Sequence, residues 1–323
     1  MSSFSIFKVP YLVQQLILGI AEPCELISIS LCSKRAHFLV KSSYSRKSLE
    51  WRHSFVGGNN LSEVQIYSPE GPRLMVKKKA FGISRRGAGE ENAPDFITEL
   101  FNIEIRDAKV DGAGVAALKF LNDRQENKIH RMTYPVDFSD EGTSDEIISG
   151  PHLQSLLTDH PTTRSLLIGA ITPEDFKCPE KLPPFTLLYL KHAPWITIED
   201  IMKVDIEEIT VGGDEISSLD LNRFLKHWLN GGSPKLKGLT VGLMTPDNSI
   251  FKDLEQITVF NDQPREILVM ENLMLYQLPH GYDITREDGR MITVNNTEEG
   301  ISLMVWPEPA GEPKLVAGIQ AID

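Results

Sequence analysis

The sequence predicts an α+β/α/β protein: a small helical module, then a repeat-like α/β body, then a C-terminal β hairpin. Three observations predict it. The first forty-odd residues hold three short apolar helical segments, punctuated by Pro10, Pro23 and Ser33. Six apolar–x–apolar strand cores then recur, at Ile103/Ile105, Met132/Tyr134, Leu166/Ile168, Leu188/Leu190, Ile209/Val211 and Leu239/Val241. Near the C-terminus two alternating segments flank Asp288-Gly289, a dipeptide suited to a hairpin turn.

The helical module spans residues 4–45. Pro10 suits the first turn of a helix, where its missing N–H would be unpaired anyway. From it Leu12/Val13, Leu16/Ile17 and Ile20 recur at helical spacing. Pro23 opens a second helix in the same way, carrying Leu26/Ile27 and Ile29/Ser30. Ser33 can cap a third, with Lys34, Arg35, Phe38 and Leu39. These helices carry more apolar surface than they can bury among themselves, so the module is expected to dock onto something else; the plainer alternative is a cap on the domain behind it.

Residues 46–94 read as a linker and a β hairpin with a basic loop. Residues 42–61 look like a polar transition ending in Gly57-Gly58-Asn59-Asn60. Alternation around Val64 and Ile66 then predicts a strand, and Glu70-Gly71-Pro72 a turn into Leu74 and Val76. The basic loop KKKAFGISRRGAGEENAP reads as a solvated segment, with nucleic-acid contact or a localisation signal as the alternative.

Residues 95–260 form the α/β body. Its strand cores are spaced by 29, 34, 22, 21 and 30 residues, and the two middle steps fall in the leucine-rich-repeat range of about 20–29 residues. The strict LxxLxLxxN signature is absent. The expectation is therefore a degenerate leucine-rich-repeat-like array, with an ordinary α/β sandwich as the alternative. A helix is predicted over Leu219 to Leu229, capped by Ser218 or Asp220, ended by Gly231-Gly232, and striped by Leu221, Phe224/Leu225 and Trp228/Leu229. Phe224 and Trp228 at helical spacing read as core. Trp195 and Trp306 also read first as core, although aromatics at element boundaries can anchor a target. Residues 261–308 read as a C-terminal β region and 309–323 as a tail.

Composition narrows the function. The chain is 41% apolar and 24% charged, ordinary values for a globular protein with a sizeable core. Three scattered cysteines, Cys24, Cys32 and Cys178, argue for a reducing compartment without a disulfide framework. Lys8, Pro10, Gln14 and Gln15 interrupt the first apolar run, so neither a secretory signal nor a membrane span is expected, and the chain reads as cytoplasmic and/or nuclear. Residues 1–90 hold 13 Lys/Arg and 6 Asp/Glu, a net of +7 against −12 for the whole chain, which leaves −19 beyond residue 90. That balance argues against nucleic-acid binding by the body and suits a basic protein target. The eight histidines lack HExxH or paired-ligand spacing, and no P-loop, dinucleotide fingerprint or G-x-S-x-G elbow is present. No catalytic residue, metal site or cofactor is therefore assigned, and the expectation is a protein that is not an enzyme.

The first segment resembles an F-box. The pattern reads Val9-Pro10, Val13, Leu16-Ile17, Ile20, Pro23, Leu26-Ile27, Ile29, Ser30, Cys32-Ser33-Lys34-Arg35 and Phe38-Leu39. Val9 stands where Leu is usual before the proline, Gln14-Gln15 where an acidic residue is common, and His37-Phe38 where many members have Trp. A second, independent resemblance is to the F-box-associated domain (type 2) of nematode F-box proteins. It lies in WITIEDIM at 195–202 and LDLNRFLKHWLNGGSPKLKGLTV at 219–241, with Asn222, Phe224, Leu225, Lys226 and Trp228, and in the YDITREDGRMITV hairpin. The resemblance implies a non-enzymatic adaptor. Its F-box would bind the Skp-type adaptor of a cullin ligase core through Val9, Pro10, Leu12, Val13, Leu16, Ile17, Ile20, Pro23, Leu26, Ile27, Ser30, Lys34 and Arg35, with Pro10, Leu16, Ile17, Leu26 and Ile27 as anchors. The body would capture a target for ubiquitin transfer. An interaction scaffold without ligase recruitment is the alternative, and an enzyme with an unrecognised site a third.

Overall fold

The computed structural model describes residues 6–21, 23–44, 52–58, 61–68, 71–77, 99–101, 105–110, 112, 115, 118, 129–134, 147–159, 163–213, 215–243, 245–255, 257–260, 265–269, 274–278, 281–297 and 300–306. The chain divides into two compact units, Met1–Pro135 and Val136–Asp323.

The first unit opens with α1 (Tyr11–Ile20), α2 (Pro23–Cys32) and α3 (Lys34–Tyr44). Pro10 sits one position earlier than expected, as the N-cap of α1 with φ −53° and ψ 149°. Its fixed φ still preorganises the start, because the cap carbonyl accepts from Val13 at 2.9 Å and Gln14 at 3.0 Å. Pro23 begins α2. Ser33 caps α3, its Oγ accepting from the Ala36 N–H at 3.1 Å. Leu18, Leu26, Ile27, Ala36, Leu39 and Val40 are buried between these helices and the rest of the unit. Across them, Gln15 Nε2 on α1 donates to Ser43 Oγ on α3 at 2.7 Å.

The same unit holds a mixed sheet in the order β3-β2-β1-β4-β5. Its strands are β1 (Arg52–Gly58), β2 (Leu61–Ser68), β3 (Gly71–Lys77), β4 (Asp107–Val110) and β5 (Arg131–Tyr134). The predicted hairpin is present as β2 antiparallel to β3. Two expectations need correction. Residues 42–61 are not a polar transition throughout: β1 runs through them, antiparallel to β2 and parallel to β4. Two strand neighbours satisfy its backbone whatever its Gly and polar content. The strand expected to include Ile105 starts two residues later, at Asp107: Ile105 is buried ahead of it, Ala108 and Val110 alternate into the core, and Ile103 lies outside the described residues. The basic loop at 78–94 and the tail at 309–323 lie outside the described residues.

The second unit is built on a sheet in the order β6-β7-β8-β9-β15-β14-β13-β10. β6 (Ser165–Ile171), β7 (Leu187–His192), β8 (Glu208–Val211) and β9 (Gly238–Val241) run parallel in chain order. Their expected cores fall into one register: Leu166 beside Leu188, Leu188 beside Ile209, Ile209 beside Leu239. All of these are buried. α4 (Gly150–Thr158) precedes β6, α5 (Ile198–Lys203) crosses from β7 to β8, and α6 (Ser218–Leu229) from β8 to β9. α5 and α6 pack against each other, as expected for consecutive βαβ crossovers, whose common right-handedness puts their helices on one face of the sheet. The sheet then turns antiparallel through β15 (Gly300–Val305), β14 (Met291–Thr297), β13 (Gly281–Thr285) and β10 (Ile257–Phe260). The predicted turn joins β13 to β14, with Gly289 at φ +84°. β11 (Arg265–Val269) and β12 (Met274–Leu278) pair separately as an antiparallel hairpin.

Candidate protein-docking site

α1 presents an apolar stripe outward. Leu12, Leu16 and Ile20 recur every fourth residue, so they share one helix face, and they are 75%, 68% and 84% exposed. Leu18, on the other side of the helix, is buried. The division is physical: a ten-residue helix has room for one buried stripe against α2 and α3, and α1 has apolar residues on both sides. Tyr11 and Val13 are exposed at its start. Between α1 and α2 runs a groove of about 570 Å³, lined by Ile17, Ile20 and Ala21 on one side and Glu25, Ser28 and Ile29 on the other.

The residues singled out for docking separate into two groups. Pro10, Leu12, Val13, Leu16, Ile20, Lys34 and Arg35 are exposed, and Val9 and Ile17 are half-buried. Leu26, Ile27 and Ser30 are buried. Leu26 and Ile27 belong to the core that holds the three helices together, and Ser30 Oγ donates to the Ile27 carbonyl at 2.7 Å. Pro23 is fixed as the first residue of α2, and its side chain lies outside the described ones. Two exposed apolar residues, Tyr11 and Leu31, carried no signal beyond hydrophobicity, which marks core and contact surface alike. Phe38 on α3 is also exposed, at 72%. Two basic residues of α3 are engaged within the unit: the Arg35 guanidinium carbon lies 4.5 Å from the Phe7 ring centroid, and Lys41 pairs with Glu99 at 3.0 Å.

In the second unit the segment 195–241 is a connected structural core. Trp195 is buried, its Nε1 donates to Thr172 Oγ1 at 2.8 Å, and its ring meets Phe176 edge-on with centroids 4.8 Å apart. α5 starts in a capping box in which Thr197 and Asp200 satisfy each other's backbone N–H. α6 starts in a second, made by Ser217 and Asp220 rather than by Ser218 or by Asp220 alone. Partial burial pushes the Asp220 carboxyl up, but hydrogen bonds from Ser217 and Arg223 outweigh it and hold the group below its ordinary range. Leu221, Phe224, Leu225 and Trp228 are fully buried. Asn222 Nδ2 donates to the carbonyls of Ile250 and Lys252, both at 2.8 Å, tying α6 to the 3-10 turn Asn248–Phe251. Arg286, at the hairpin turn, donates to the Trp228 carbonyl at 3.3 Å and stacks over its ring at 5.1 Å. Trp306 is half-buried, its Nε1 donating to Thr293 Oγ1 at 2.8 Å. These aromatics are occupied in holding the fold.

Among the described residues no group of three His, Cys, Asp or Glu side chains is placed to hold a metal ion, and no helix is long and apolar enough to cross a membrane. Burial, together with the Asp200 charge, pushes the Cys178 thiol up to about 11.

Comparison with known proteins locates one of these regions. A 70-residue stretch, 21% of the chain, is 37% identical to a protein of Caenorhabditis elegans named E3 ubiquitin-protein ligase hecw-1, and spans 6% of that protein's length. No solved structure matches. Residues 181–241 match the family described as F-box associated, which supports an F-box-associated domain around α5, α6 and the strands β7 to β9.

Proposed function

We propose that the protein is the substrate-recognition adaptor of a Skp–cullin–F-box E3 ubiquitin ligase. The observation that carries the proposal is the exposed stripe of Leu12, Leu16 and Ile20 on a helix that begins at a Val-Pro pair. Exposed apolar side chains aligned on one helix face favour burial against a partner, at about 25 cal/mol per Å² removed from water. The F-box-associated match supports an adaptor role in general, since that family is typically non-catalytic.

In this reading residues 4–45 are the F-box. Leu12, Leu16 and Ile20 are its anchors, Pro10, Val13 and Ile17 complete the contact, and Lys34 and Arg35 lie at its rim. Leu26, Ile27 and Ser30 serve the same surface from beneath, by holding α2 in place. Beyond the F-box, the in-register parallel strands form a leucine-rich-repeat-like ladder of the nematode F-box-associated type, and the acidic body captures a basic target. The mechanism is proximity: the ligase core and the target are held on one chain, which raises their effective concentration. The site of action is cytoplasmic and/or nuclear.

Co-expression with a Skp-type adaptor tests the proposal. The wild-type chain is expected to co-purify with it and a Leu12→Lys/Leu16→Lys variant is not, with the circular dichroism of the two unchanged. Failure of the folded wild-type chain to recover the adaptor would leave an interaction scaffold without ligase recruitment as the better reading. Equal recovery with both chains would contradict the placement of the contact on Leu12 and Leu16.

A further inference from the structure

Among the described residues the second unit's sheet ends at β10, which pairs with β13 on one side and is the terminal strand of the sheet order. In an antiparallel pair, alternate residues of an edge strand direct both N–H and C=O away from their neighbour. Such an edge is a template for another strand, and proteins ordinarily protect it with Lys, Pro or a bulge. β10 reads Ile257-Thr258-Val259-Phe260, with no charge and no proline, and its register with β13 is unbroken over all four residues. Beside the edge lies an apolar surface. Val259 stands opposite Tyr282 across the ladder, the two are 56% and 40% exposed, and the Phe251 ring packs on Tyr282 with centroids 4.4 Å apart.

From this we infer that β10 is a strand-accepting edge, where an extended segment of the captured target adds to the sheet by main-chain hydrogen bonds and sets an apolar side chain against Val259 and Tyr282. Main-chain pairing supplies affinity in this mode, and the alternate side-chain positions supply specificity. The occupant is a peptide segment rather than a second copy of this chain. Two four-residue strands paired about a twofold axis bring together far less than the roughly 1,600 Å² of a standard stable interface, whereas a short segment needs no larger area to bind transiently. The inference names where the target of the proposed adaptor sits, and so rests on that reading.

A random peptide display library, panned against the full chain, tests it. Enriched peptides are expected to alternate apolar and polar residues. Their affinity should fall at least about tenfold when Val259→Lys places a charge on the edge, and again when the peptide is N-methylated at alternate residues to remove its donors. Val259→Thr, which keeps a β-branched residue, should bind as wild type does. Absence of any enriched peptide, or binding indifferent to both Val259→Lys and N-methylation, overturns the inference. So does concentration-dependent dimerisation that Val259→Lys abolishes, since a second copy then takes the edge. Adaptor binding by Val259→Lys should equal that of wild type, which keeps the two readings separable: peptides that bind a chain unable to recruit the adaptor would sink the ligase role alone.

Discussion

Gly300 opens β15 with φ +129°, and a Cβ built there would lie 2.0 Å from the Val241 carbonyl oxygen. Both the backbone conformation and the close approach of β9 therefore demand glycine. Gly300→Ala is expected to lower stability by at least about 1–3 kcal/mol, read as a lower urea midpoint. At the hairpin turn, Asp288 accepts from Arg286 and from the Arg290 N–H. The Arg286 hydrogen bonds hold its carboxyl at about 2, below the ordinary value. A depressed carboxylate adds stability that is present above the unfolded-state pKa and lost as pH falls through the folded one. The pair's contribution should thus fade between about pH 4 and pH 2, and Asp288→Asn should flatten that part of the stability profile while lowering stability at neutral pH. Cys178, with its raised thiol pKa, should alkylate much more slowly at pH 8 than the exposed Cys32; mass spectrometry of a brief iodoacetamide reaction decides it.

The parallel strands were legible in the sequence because each is a short apolar–x–apolar run, and the register places those runs side by side. The leading helices were legible from proline and serine at their starts. β1 was hidden because Gly57 and Gly58 carry no side-chain pattern, and its pairing with β2 and β4 is decided by the backbone. The start of α6 was misread by one residue because Ser217 and Ser218 are equivalent on paper, and only the reciprocal bonds with Asp220 select Ser217. Ser217→Ala should cost about 1 kcal/mol. Trp228→Ala, which empties a fully buried site, should cost about 3–5 kcal/mol. Thermal unfolding of the two variants should preserve that order.

Charge and hydrophobicity divide along the chain, basic and surplus-apolar at the start, acidic beyond it. The candidate docking surface was only half legible for a physical reason. Sequence marks Leu12, Leu16, Leu26 and Ile27 alike as apolar, while packing assigns the first two to solvent and the last two to the helical core. The consequence concerns which substitutions disrupt folding and which disrupt association. Leu26→Ala should destabilise the module by about 2–5 kcal/mol. Leu12, Leu16 and Ile20 should be replaceable with little change in stability and a large change in binding. Calorimetric titration of a purified Skp-type adaptor into the full chain tests this most directly. The account predicts saturable binding with a negative heat-capacity change, weakened by about 2 kcal/mol or more, some thirtyfold, in a folded Leu16→Lys variant. Identical affinity for wild type and Leu16→Lys, or no binding by the wild type at all, would contradict it.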